Sequence, residues 1–185
     1  FEVANENTLI LAEGGEVARV NGISYTYLPD AIAAAAAASD ASNPVTVEIL
    51  NNAQINATVT IPANANIIIT DDGRAHTISR SADFNTSRGV MFDVINSGAS
   101  LTFTSTSGSN AECRLIIDGA NQAFYSGNCA VAVVRGGATL TINSGVKICN
   151  NYSTGAGGVI RAEGGTLTVN GGVFTGNNVV NNGAG

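Results

Sequence analysis

Tryptophan is absent, and methionine, histidine and lysine occur once each, the histidine as His76 and the lysine as Lys147. Charged residues make up only 12% of the 185-residue chain, about half the usual share, and aromatics 5%. The formal net charge is −6, and there is neither a basic stripe nor aromatics interleaved with basic residues. That excludes the electrostatic footprint of a nucleic-acid or anionic-membrane binder. No apolar run is long enough to span a bilayer, so membrane insertion is not expected. The chain starts at Phe1 rather than Met and carries no leader pattern, which reads as a processed or excised piece. Its three cysteines, Cys113, Cys129 and Cys149, have no Cys-x-x-Cys spacing and lie far from His76 in sequence, which argues against zinc. One disulfide with a thiol left over and three buried thiols both remain open.

What is present in quantity is asparagine and glycine, 22 of each. Hydrophobic residues stay near normal at 44%, enough for one domain with a real core. The polar surface is therefore built from Asn, Ser, Thr and Gly, and the mild acidity serves solubility. Asn-x-Ser/Thr triplets begin at Asn56, Asn85 and Asn151, the pattern of glycan acceptors in a secreted chain.

The first twenty residues hold two apolar runs around Gly14-Gly15, which suits a short hairpin or capping strands. Next comes "SYTYLPDAIAAAAAASDASNP", with Pro29 in a first turn, Asp30 against the helix dipole and alanine, the best helix former, in the middle. A helix is expected from about Leu28 to Ser39, ended by Asn43-Pro44. Residues 1–44 thus read as an N-terminal cap. From Val45 onward short runs of period two follow one another, bounded by Gly, Asn, Asp or Ser: "VTVEIL", "ATVTIP", "NIIIT", "HTISR", "VMFDVI", "SLTFT", "RLIID", "AVAVV", "TLTIN", "GVIRA" and "TLTVN".

Two of these belong to a phrase written twice, "GGATLTINSG" at Gly136–Gly145 and "EGGTLTVNGG" at Glu163–Gly172. At an offset of 27, Val133 falls on Ile160, Leu140 on Leu167, Ile142 on Val169, Asn143 on Asn170, Gly145 on Gly172, Val146 on Val173 and Asn150 on Asn177. A fainter copy has Gly98 and Leu101 in the roles of Gly137 and Leu140, with "STSGSNAE" as a loop insertion. A period near 27 is too short for a propeller blade and suits three short strands per turn of a stacked architecture. The expected fold is all-β, a right-handed single-stranded parallel β-helix of five or six rungs over residues 45–185, behind the Ala-rich capping helix. Leu and Ile/Val would stack inward, Asn143/Asn170 and Asn150/Asn177 would form corner ladders, and Thr139, Thr141, Thr166 and Thr168 would point outward. No C-terminal cap is visible, so the stack is expected to continue past Gly185 or to meet a partner, including a second copy.

"GGVI" at Gly157–Ile160 with "FTGN" at Phe174–Asn177 resembles the repeat pair of polymorphic outer-membrane-protein-like surface proteins. Lys147 stands where the first repeat would place its phenylalanine. "SYTYLPDAIAAAAAAS" followed by "VTVEILNNAQINATVTIPANANIIIT" resembles the N-terminal portion of bacterial pectin-lyase-like β-helix surface proteins. The resemblance implies an extracellular or cell-surface domain of structural or adhesive function, with a carbohydrate or cell-surface ligand.

No motif points to catalysis or to a cofactor. Asp71-Asp72-Gly73-Arg74 reads as a turn, as does Asp118-Gly119, and His76 as a surface or turn residue. A polysaccharide-degrading or polysaccharide-binding domain is the alternative, and it would need two acids and a basic residue together. Asp93, Asp118 and Glu163 are the candidate acids, with Arg114, Arg135 and Arg161 as a basic rank. Arg135 and Arg161 are 26 apart, one short of the repeat, and so are expected on opposite faces. A second alternative is an ice-binding face made by the outward threonines, with Ser100 and Thr102 extending it.

Overall fold

The computed structural model describes residues 15–84, 89–122, 130–153 and 158–179. Among these residues the fold is all-β apart from one helix. Strands β1 (Ala18–Val20) and β2 (Ile23–Tyr25) form an antiparallel hairpin, followed by helix α1 (Leu28–Ala38). The hairpin turns at Asn21-Gly22 and not at Gly14-Gly15, of which Gly14 lies outside the described residues. Both turn residues have positive φ, 48° and 81°, the conformation that makes Asn-Gly the strongest short hairpin signal. The helix begins where expected, with Pro29 in its first turn, and buries Leu28, Ala31, Ile32 and Ala35. It stops at Ser39, before Asn43-Pro44, because the Asp40 carboxylate takes up the next backbone amides, those of Ser42 and Asn43.

Strands then come in a repeating order. The successive groups are β3 (Val45–Ile49), β4 (Ala53–Ile55) and β5 (Val59–Ile61); β6 (Asn66–Asp71), β7 (His76–Arg80) and β8 (Phe92–Val94); β9 (Ser100–Phe103), β10 (Leu115–Asp118) and β11 (Ala132–Arg135). After them come β12 (Thr139–Ile142), β13 (Val146–Cys149), β14 (Tyr152–Ser153) and β15 (Ile160–Glu163), and finally β16 (Thr166–Val169), β17 (Val173–Thr175) and β18 (Asn178–Val179). A first sheet runs β16-β12-β9-β6-β3-β1-β2, a second β17-β13-β10-β7-β4 and a third β15-β11-β8-β5, with β14 beside β18. β3 pairs β1 antiparallel, and every strand pairing among β3 and the later strands is parallel. The chain thus visits the three sheets in one order again and again, and the "STSGSNAE" insertion is a loop between β9 and β10.

Alternation decides what is buried. Val47, Ile49, Ile67, Ile69, Leu101, Phe103, Leu140 and Ile142 of the first sheet join Ile55, Ile78, Leu115, Ile117 and Ile148 of the second and Ile61, Phe92, Val94 and Val134 of the third in one apolar cluster. α1 packs on it at the β3 side.

The doubled phrase pairs in register, Thr139 on Thr166, Leu140 on Leu167, Thr141 on Thr168 and Ile142 on Val169. Leu140 also faces Leu101, as the fainter copy implies. Elsewhere the offset is not 27. In the third sheet it is 28, so Ala132 and not Val133 faces Ile160. In the second it is 26, so Val173 faces Lys147 rather than Val146, and Phe174 faces Ile148. The last turn loses one residue at each of two corners, where Gly164-Gly165 replaces Gly136-Gly137-Ala138 and Gly171-Gly172 replaces Ser144-Gly145-Val146. These tight corners require glycine. A Cβ on Gly165 would sit 2.8 Å from the Val134 backbone, and one on Gly171 2.8 Å from the Ser144 nitrogen.

Candidate functional site

The four outward threonines form a two-by-two block on the outer face of the first sheet. Thr102 and Ser100 extend it on β9, and Ile68 and Asn66 on β6. One column across the strands reads Thr46, Ile68, Thr102, Thr141, Thr168; its neighbour reads Asn66, Ser100, Thr139, Thr166. Strand spacing places successive side chains ~4.8 Å apart along each column. Neither column carries a charge, but Ile68 and Ser100 interrupt the threonine lattice that an ice-binding face needs. Asn170 donates its side-chain amide to Asn143 Oδ1 at 3.0 Å, so that corner ladder forms. The Asn150/Asn177 ladder does not. With the offset of 26, Asn177 Oδ1 accepts from the Asn151 amide, while Asn150 donates to Asp118.

At the β1 end of this face lies a groove of about 300 Å³ lined by Arg19, Asn21, Gly22, Thr46, Glu48 and Thr70. Arg19 Nε donates to Glu48 Oε2 at 2.9 Å across the antiparallel β1–β3 pair. The groove is not legible in the sequence, because it depends on β1 pairing with β3. The Asn21-Gly22 dipeptide was the available signal.

A second cluster lies on the third sheet. Arg135 Nε donates to Asp93 at 2.8 Å and its Nη1 to Glu163, and Arg161 Nε meets Glu163 Oε1 at 2.7 Å. Arg135 and Arg161 therefore share a face, contrary to the expectation of opposite ones. With an offset of 28, a separation of 26 is two residues out of register, and two residues restore the same side of a strand. The hydrogen bond to Asp93 holds the Arg135 guanidinium above its ordinary pKa despite partial burial. Asp118 is not part of this cluster. It accepts from the Ala120 amide at 2.7 Å and from Asn150, fixing the turn after β10. Arg114 is held at another corner by Glu112 and Thr106.

Asp71-Asp72-Gly73-Arg74 is a turn, with Asp71 and Asp72 accepting the amides two residues on. His76 corrects its sequence reading: it is buried, and its Nε2 lies 2.8 Å from Asp72 Oδ1. Among the described residues no group of three His, Cys, Asp or Glu side chains is placed to hold a metal.

Cys113 and Cys149 are free thiols, and Cys129 lies outside the described residues. Burial, then the nearby Asp118 carboxylate, pushes the Cys149 thiol above its usual range. Little thiolate forms at neutral pH. Cys149 is therefore expected to react with a disulfide reagent only on unfolding, and a fast native-state reaction at Cys149, read by peptide mapping, would contradict its burial. Of the glycan acceptors, Asn85 lies outside the described residues. Asn151 is buried and bonded, whereas Asn56 is exposed on the β4–β5 turn.

No family model, no curated protein and no solved structure matches the chain.

Proposed function

We propose that the three parallel sheets close into a right-handed single-stranded β-helix, and that this is an extracellular structural or adhesive domain of a cell-surface or secreted protein. The hand follows from the strong preference of parallel crossovers. The repeated visiting order of the sheets and their common apolar cluster support the closure. The motif resemblances at Gly157–Ile160, Phe174–Asn177 and the Ala-rich segment support the surface setting. A single observation carries the adhesive role, the uncharged outer face of β9, β12 and β16 in the first sheet. Three strands of in-register hydroxyls with no charge among them suit contact with a hydroxyl-rich, cell-surface ligand such as a carbohydrate. Its test is retention of the purified protein on an insoluble neutral β-glucan. The wild type is expected to be retained, and Thr141→Lys/Thr168→Lys to lose at least about 10-fold in affinity by placing two charges on the face. Equal retention of both would remove the face from the function.

A second reading, a polysaccharide-degrading domain, draws on the Asp93–Arg135–Glu163–Arg161 cluster, which brings two acids and two bases together. Release of unsaturated products from a polyuronate, abolished by Arg135→Ala, would support it; no release from the wild type would end it.

A further inference from the structure

The outer face of the first sheet changes character at its β1 end. From β9 to β16 it offers neutral hydroxyls, whereas Arg19 and Glu48 face each other across the β1–β3 pair. They border the groove of about 300 Å³ that Asn21, Gly22, Thr46 and Thr70 complete. That volume is at the small end of ligand sites, which suits one ring rather than a long segment. Arg19 directs both Nε and Nη2 at a single oxygen, Glu48 Oε2. This leaves Arg19 Nη1, Glu48 Oε1 and the hydroxyls of Thr46 and Thr70 without a partner among the described residues. A charged donor, a charged acceptor and two hydroxyls thus converge on one groove. A sugar hydroxyl donates and accepts at once, so two adjacent ones can accept from Nη1 and donate to Oε1 in charge-assisted bonds. An anionic group fits less well, because the carboxylates of Glu48, Glu16 and Asp72 all act on Arg19 and make the surroundings acidic. Arg19 itself stands against a cation.

Ile68 supplies the other half of a sugar site. It lies beside Thr46 on the next strand and two residues before Thr70 on the same side of β6. It is half-buried, and so leaves apolar surface next to the polar groove. A pyranose ring has a polar edge of hydroxyls and an apolar C–H face, and that face gains by leaving water. The residue that interrupts the threonine lattice is therefore a platform for a ring. We propose that this groove is a subsite for one neutral hexose residue of a polysaccharide, with two adjacent hydroxyls bridging Arg19 and Glu48 and the C–H face on Ile68. The inference rests on the adhesive, carbohydrate-binding reading above, and it fixes where the chain is anchored. Thr46 heads the column that continues through Ile68, Thr102, Thr141 and Thr168, so the neighbouring sugars cross the strands onto the hydroxyl face.

Titration calorimetry tests this with soluble β-linked hexasaccharides of glucose, mannose and galactose, and with an oligouronate of equal length. The wild type is expected to bind at least one neutral hexasaccharide, and the oligouronate about 10-fold or more weakly. Arg19→Ala/Glu48→Ala removes both charges together and leaves neither unpaired. It is expected to weaken binding about 10-fold or more, with the urea midpoint unchanged because the pair is partly exposed. Ile68→Thr keeps the β-branch and completes the threonine column, yet is expected to weaken binding about 3-fold by removing the ring platform. Binding lost in Thr141→Lys/Thr168→Lys but unchanged in both groove variants would overturn the subsite and leave the hydroxyl face standing. Binding lost in the groove variants but unchanged in Thr141→Lys/Thr168→Lys would uphold the subsite and move the adhesive role from the face to the groove. No binding of any neutral hexasaccharide by the wild type would overturn both. Tighter binding of the oligouronate would overturn the assignment to a neutral sugar.

Discussion

Phe103→Ala is expected to cost about 3–5 kcal/mol, among the largest effects of any single core substitution here. Phe103 is fully buried on the inner face of the first sheet, paired with Ile69 on one side and Ile142 on the other. Its ring meets Phe92 of the third sheet edge-on, with centroids 5.2 Å apart at 70°. That contact adds ~0.5–1.5 kcal/mol beyond the apolar area it removes from water. Ile69, Ile142 and Phe92 are all anchored on sheets and relax poorly, so truncation leaves a dry cavity. Urea unfolding should show a lower midpoint at unchanged slope. Phe103→Leu should recover most of the loss, and Thr102→Ala, one residue away on the outer face, should stay within ~0.5 kcal/mol. Equal effects at 102 and 103 would contradict the assignment of Phe103 to the inward face of β9 and Thr102 to the outward one.

That alternation is also why much of the fold is legible in the amino-acid order. The eleven runs named from period two all fall on strands, and "TLTIN" lies over "TLTVN" as the doubled phrase implies. The shortest strands, such as β4 (AQI), β14 (YS) and β18 (NV), carry too few residues for a period to be seen. Register is less legible than pattern. Matching letters at a constant 27 conceals the two shortened glycine corners, and a slip of one residue reverses which side chains face each other. For that reason Asn151 rather than Asn150 meets Asn177, and Arg135 and Arg161 converge on Glu163. Of the candidate sites, the threonine block follows directly from the repeat. The ionic cluster and the Arg19–Glu48 groove depend on tertiary pairings between residues 28 to 42 positions apart, which composition and spacing do not encode.

Asp71 shows how one of these corners is held, and pH is expected to report it. The residue ends β6 with its carboxylate fully buried. Burial alone would raise its pKa. The hydroxyls of Ser105 and Thr106 and the backbone amides of Gly73 and Thr106 outweigh that desolvation, so the carboxyl is held below its ordinary value. The bonds tie the turn after β6 to the start of the inserted loop after β9. A carboxyl depressed in the folded state contributes stability above its unfolded pKa of ~3.9, and that contribution disappears as pH falls through the lower, folded value. Asp71→Ala is expected to cost about 3 kcal/mol at pH 7, because several buried donors lose a charged acceptor together. Asp71→Asn should cost less at pH 7 and flatten the acid limb of the stability profile below about pH 4. Asp72, also held low despite burial by its bond to His76, should leave a residual slope. If the wild type and Asp71→Asn lose stability in parallel below pH 4, the Asp71 hydrogen bonds do not hold the corner. If the difference between them closes as the pH falls, this buried carboxylate ties together two turns that the chain reaches 35 residues apart.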